Sequence, residues 1–208
     1  MQQQVKLKLY DRSNDRNNSQ IVIFQKNVAT DFDEISVAWR VIENLGRGSY
    51  HPFSYSFDLQ VSANDAWGNY TPEFDAEPGE MWQMSRTDAG DVLELSTTPS
   101  SSAVEVQVRN SLPAGAITTN CLRDGKLLAK KTSVAPGQKA VFKFKPTIWI
   151  GVASQIEEGE VIDSAIISDV NAEISLLGIS SADIVMTGGG PGQNSAPFRF
   201  SLQNIHSS

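Results

Sequence analysis

Phe53-Ser54-Tyr55-Ser56-Phe57-Asp58-Leu59-Gln60-Val61 places an apolar side chain at every odd position and a polar one at every even position. Successive side chains of a strand point to opposite faces, so this stretch reads as one β-strand with a dry face and a wet face. Phe57 belongs to the dry set. The pattern recurs where Ile35, Val37, Trp39 and Val41 alternate with Ser36, Ala38 and Arg40, and where Val104, Val106 and Val108 alternate with Glu105, Gln107 and Arg109. Half-wet strands belong to antiparallel sheets stacked face to face. The expected fold is therefore all-β, an antiparallel β-sandwich of immunoglobulin-like or jelly-roll-like kind.

Working outward, strands are expected near 4–10, 20–28, 35–43, 53–62, 80–85, 91–96, 103–110, 115–122, 126–133, 139–144 and 147–153. More lie within 161–187, and the last near 198–204. Asp124-Gly125 between two apolar runs predicts a two-residue hairpin, because a type I′ turn needs positive φ twice. Ala135-Pro136-Gly137-Gln138 and Glu77-Pro78-Gly79-Glu80 fit type II turns, with proline fixing one φ and glycine supplying the positive one. Segment 161–177 carries a helical stripe of Ile162, Ile166, Val170, Ile174 and Leu177. Its isoleucines and serines favour strand, since β-branched side chains lose rotamer freedom in helices, with a short helix at 160–168 as the other reading.

A chain of 208 residues is long enough for one large sandwich or two smaller ones. The reading adopted is a single domain over 1–208. The alternative divides it into 1–97 and 103–208 at the polar stretch Thr97-Thr98-Pro99-Ser100-Ser101-Ser102. A net charge of −7 argues against a nucleic-acid partner, which wants a basic surface. The lone Cys121 leaves no internal disulfide framework. No apolar run reaches the roughly 18–20 residues of a membrane helix. Met1-Gln2-Gln3-Gln4-Val5-Lys6 lacks the apolar core of a signal peptide, which predicts a cytoplasmic protein, with leaderless release as the other route.

Catalytic constellations are sparse. His51 and His206 are the two histidines, too few for a His-rich metal site and poor material for a triad. A Cys121–His51 nucleophile pair is weighed against Cys121 as a small half-buried strand residue. Asp58 with Asp65, or Glu73 with Asp75, could support a carboxylate-based hydrolase, yet no spacing singles out a pair. Asp11-Arg12-Ser13-Asn14-Asp15-Arg16-Asn17 echoes a calcium loop, but Arg16 stands where its glycine should be and Val22 where its glutamate should be. Asp31, Asp33 and Glu34 form a weaker cation candidate. Thr187-Gly188-Gly189-Gly190-Pro191-Gly192 lacks the Lys-Ser/Thr of a phosphate loop and reads as a flexible loop or strand crossover. The expectation is no enzyme, no cofactor and no metal.

Two features point to binding instead. Asn64, Asp65, Trp67, Asn69 and Tyr70 set two large aromatics among turn residues, the material of a sugar-binding loop; the opposing reading has both rings plugging the sandwich end. Charge also runs in blocks: residues 31–105 sum to −11, 106–146 to +7 and 147–183 to −7. Folded into opposite poles, such blocks favour head-to-tail association, with Lys126, Lys130, Lys131, Lys139, Lys143 and Lys145 as the basic pole. The leading expectation is a non-enzymatic, self-associating structural or interaction protein whose partner is itself or another protein. The alternative is a carbohydrate-binding, lectin-like module. The third is a β-pore former using the serine-punctuated alternation of 161–187.

Overall fold

The computed structural model describes residues 4–29, 36–162 and 172–207, apart from the side chain of Asn194. Its regular structure is strand, with one single-turn 3-10 helix at Gly192–Asn194. No helix among the described residues is long and apolar enough to cross a membrane. The chain forms two compact units, the second made from an excursion of the first: Met1–Gln25, Ser36–Phe57 and Pro146–Ser208 make unit one, and Lys26–Ile35 with Asp58–Lys145 make unit two.

Unit one contains two four-stranded sheets. One is ordered β16 (Ala196–Ser207), β15 (Ile179–Gly189), β1 (Gln4–Asp11) and β4 (Tyr50–Ser56); the other is β14 (Ala172–Ser175), β13 (Thr147–Ala153), β2 (Gln20–Phe24) and β3 (Arg40–Ile42). In β1 the buried residues are Val5, Leu7 and Leu9, alternating with exposed Gln4, Lys6 and Lys8, as a sheet with one dry face requires. Ile21 to Phe24 of β2 are all buried, so that strand is covered on both faces. Trp39 meets Tyr55 edge-on at 6.0 Å and joins the two sheets.

Unit two also contains two four-stranded sheets. They are ordered β11 (Lys126–Val134), β10 (Ile117–Arg123), β5 (Leu59–Asn64), β6 (Phe74–Ala76), and β12 (Lys139–Phe142), β9 (Val106–Asn110), β7 (Met81–Thr87), β8 (Gly90–Leu95). Phe74 on β6 stacks on Trp82 of β7 at 5.1 Å, closing the sheets at that edge. Val61, Val106, Val108, Leu128 and Phe142 fill the core. Among the described residues each unit holds one parallel pair, β1 with β15 and β7 with β9, among otherwise antiparallel ladders.

Several expectations change. The stretch 53–61 is two strands: β4 ends at Ser56 in unit one, β5 begins at Leu59 in unit two, and Phe57 at the crossing is 36% exposed. Strand 35–43 shrinks to β3, and Val104 is exposed ahead of β9 because the chain turns there, Glu105 N–H donating to the Ser102 carbonyl at 3.3 Å. The sequence favours one sandwich over 1–208, whereas the chain divides into two units. The alternative boundary at 97–102 falls inside unit two, where Ser100 N–H donates to the Gly79 carbonyl at 2.9 Å. The turns agree with the residues. Asp124 and Gly125 have φ of 54° and 68° in a hairpin registering Arg123 with Lys126, and Gly79 and Gly137 have φ of 96° and 82°. The helical reading of 160–168 and the cluster Asp31, Asp33, Glu34 lie, wholly or in large part, outside the described residues.

Candidate functional site

The β5–β6 connection is built around one carboxylate. Asp65 Oδ1 accepts the backbone N–H groups of Trp67 at 2.8 Å and Asn69 at 2.9 Å, while Oδ2 accepts the Asn69 side-chain amide at 2.9 Å. An aspartate that bonds the backbone two residues ahead is the ordinary Asx turn, here extended by a second N–H and a side chain. The Asp65 N–H in turn donates to the Asn69 carbonyl at 3.1 Å, Asn64 bridges to Tyr70, and Thr71 N–H donates to the Ala63 carbonyl at 2.9 Å. Gly68 supplies the left-handed turn at φ 86°. Hydrogen bonds from the Asn69 side chain and backbone, outweighing the effect of burial, hold the Asp65 carboxyl below the usual aspartate range.

This frame turns the aromatics outward. Trp67 is 86% exposed and Tyr70 76%, so neither plugs the sandwich end. Beside them lies a depression of about 420 Å³ whose far wall is the β7–β8 hairpin, with Met84, Arg86, Ala89, Gly90 and Asp91. Arg86 and Asp91 form a bidentate cross-strand pair, Nε to Oδ1 at 2.7 Å and Nη2 to Oδ2 at 2.9 Å. The pair holds the Asp91 carboxyl low and the Arg86 guanidinium high. The hairpin wall escapes a sequence reading because it belongs to the other sheet of unit two, some 20 residues along the chain, with no motif of its own. The depression thus sets two exposed aromatic rings beside Asn69 and the Arg86–Asp91 pair.

The lysines occupy one side of unit two. Lys126, Lys130 and Lys131 sit on edge strand β11, Lys139 on edge strand β12, and Lys143 and Lys145 follow β12 directly. Lys139 Nζ donates to Gln107 Oε1 at 2.8 Å and Ser101 Oγ at 3.1 Å. The opposite edges, β6 and β8, carry Asp75, Asp91 and Glu94, flanked by Glu73, Glu77 and Asp88. Acidic residues between 73 and 94 and lysines between 126 and 145 thus fall on opposed edges of unit two.

Cys121 is fully buried on β10, which pushes its thiol up to about 12, far from a thiolate at neutral pH. His51 is an exposed residue of β4 in unit one. In the calcium-like loop Asp11 Oδ1 accepts Ser13 N–H at 2.7 Å, and Asp15 accepts the N–H groups of Asn17 at 3.0 Å and Ser19 at 2.8 Å, so those oxygens are spent on the turn itself. Gly188 is a close-approach glycine: a Cβ there would lie 2.1 Å from the Pro197 carbonyl oxygen of β16. β15 is a core strand, with Ile184 and Met186 buried. Of the hydrolase pairs, Asp65 is engaged by its own loop, and Asp58, Glu73 and Asp75 are exposed. Among the described residues no three His, Cys, Asp or Glu side chains gather into a group that could hold a metal ion.

No protein-family model, curated protein or solved structure matches this chain.

Proposed function

We propose that the chain is a non-enzymatic β-sandwich protein that acts through its surface by associating with copies of itself, the lysine edge of unit two meeting the acidic edge of a neighbour. The observation that carries this reading is the segregation of charge onto opposite edges of one sandwich: β11 and β12 basic, β6 and β8 acidic. Such a contact is heterologous, so each copy keeps a free edge of each sign and the assembly grows as a chain. Complementary potentials speed encounter and fix which edges meet. Lysines on an edge strand also discourage unwanted strand pairing, so this edge selects a charged partner over a backbone one.

The test uses two variants. Lys130→Glu with Lys131→Glu gives β11 an acidic centre; Asp75→Lys with Asp88→Lys weakens the acidic side. Each variant alone should sediment as a smaller species than the parent at low salt, and the two mixed should co-assemble, because a reversed edge now finds its complement. Two variants that assemble like the parent, or a mixture that gains nothing, would contradict the reading.

A second reading rests on the exposed pair Trp67 and Tyr70 over the Arg86–Asp91 wall: a carbohydrate-binding module. Trp67→Ala and Tyr70→Ala leave every charge in place. They should abolish retention on a glycan array and leave salt-dependent assembly unchanged. A parent chain that binds no glycan would remove this reading.

A further inference from the structure

An edge strand offers a row of backbone N–H and C=O groups that a further strand can take up, and folded proteins blunt that edge with short strands, charges or proline. The four sheets have eight edge strands, and among the described residues each carries at least one such device. β3, β6 and β14 span three or four residues. β4 carries Pro52, β8 carries Asp91 and Glu94, β11 carries three lysines and β12 carries Lys139. β16 carries Pro197 and Arg199 as well, but at 12 residues it is long enough to keep a stretch that no proline or bulge interrupts.

The register of β16 on β15 narrows the usable part. It slips between Thr187↔Arg199 and Gly189↔Ala196, and again between Ser181↔His206 and Asp183↔Gln203. These two slips each give β16 an extra residue, a bulge that bends the strand out of pairing geometry, and a third, between Ile179↔Ser207 and Ser181↔His206, puts the extra residue on β15. Pro197 and the left-handed Asn204, at φ 48°, fall in those bulges. Arg199 to Gln203 is the regular stretch between them. Within it Phe200 and Leu202 are half-buried opposite Met186 and Ile184, while Arg199, Ser201 and Gln203 are exposed.

We propose that this stretch pairs with the same stretch of a second copy, antiparallel about a two-fold axis normal to the sheet at Ser201. That axis sets Ser201 opposite itself, Phe200 opposite Leu202 of the second copy, and Arg199 opposite Gln203 of the second copy. Apolar then meets apolar on the inner face, where cross-strand neighbours touch, and no like charges face each other. Moving the axis to Leu202 would put Phe200 across from Asn204, and moving it to Phe200 would draw Pro197 into the ladder. The regular stretch is centred on Ser201, so the self-complementary register and the geometry coincide. The contact is isologous and lies in unit one, which separates it from the charged edges of unit two.

The experiment is sedimentation of the intact chain at high ionic strength, where charged contacts are screened and a backbone-and-apolar contact persists. The parent should show a concentration-dependent monomer–dimer equilibrium. At low salt, on a Lys130→Glu, Lys131→Glu background where repulsion between facing lysines is unscreened, Ser201→Lys, on the exposed face and therefore compatible with the fold, should shift it to monomer. On the Lys130→Glu, Lys131→Glu background at low salt, Gln203→Lys should weaken the dimer by facing Arg199 of the second copy, and adding Arg199→Glu should restore it. A parent that stays monomeric at every concentration, a Ser201→Lys dimer as strong as the parent's, or an Arg199→Glu, Gln203→Lys pair that fails to recover the dimer overturns the proposal.

Discussion

Tyr55 and Phe57 sit two positions apart in one alternating run and carry very different weight. Tyr55 is 1% exposed, accepts a hydrogen bond from Gln25 Nε2 at 3.1 Å and packs edge-on against Trp39. Phe57 is 36% exposed and touches the Tyr55 ring at 5.3 Å. Tyr55→Ala should cost about 3–5 kcal/mol in denaturant titration, the usual range for emptying a buried aromatic site. Phe57→Asp, which simple alternation makes severe, should cost only about 0.5–1.5 kcal/mol, the worth of one aromatic contact. Equal losses at the two sites would refute this placement of the unit boundary. Asp65 gives a pH test. Its folded-state carboxyl titrates below the ordinary aspartate value, so the loop bonds it accepts are present above that value and are lost as pH falls through the lower folded one. The amide resonances of Trp67 and Asn69 should hold steady from neutral pH down to about 4 and move only below it. A transition well above that range would mean that the carboxylate does not organise the loop.

At the scale of elements, the sequence was most legible where a turn residue has one conformational job. Asp124-Gly125 and the two Pro-Gly turns sit where their φ demands place them, and β7 through β13 lie within a few residues of their alternating runs. Alternation could not reveal the break at Phe57-Asp58. Tyr55 ends one buried set and Leu59 starts the next at the same odd parity, so the phase survives while the chain passes from one unit to the other. β6, with three residues, is too short for any periodicity to register. In the candidate site the loop was readable from its Asn, Asp and Gly content, whereas the Arg86–Asp91 wall exists only through β7–β8 pairing. Glycine substitutions separate two demands that sequence alone merges. Gly125 and Gly188 both have positive φ, but a Cβ at Gly125 meets nothing within 4 Å while one at Gly188 meets backbone. Gly125→Ala should cost about 1–2 kcal/mol, the left-handed penalty for an L-residue. Gly188→Ala should cost clearly more in the same thermal melt, because β16 must move as well; similar costs would show that the strand yields freely.

At the scale of the whole molecule, charge that looked like blocks along the chain becomes opposed edges within unit two, because residues 58–105 supply β6 and β8 while 126–145 supply β11, β12 and the segment after them. Folding therefore converts a sequence pattern into a dipolar surface, and the association proposed for it is electrostatic in origin. Exposed charges separated by more than a Debye length are screened, and that length falls from about 30 Å at 0.01 M salt to about 3 Å at 1 M. The β16 contact proposed for unit one carries one cation per strand and should be nearly indifferent to the same change. Sedimentation velocity across that salt range, at one fixed protein concentration, tests the central claim most directly. The account predicts species larger than a dimer at low salt that collapse, as salt rises, to a species no larger than a dimer. A distribution that is the same at both ends of the range would contradict it.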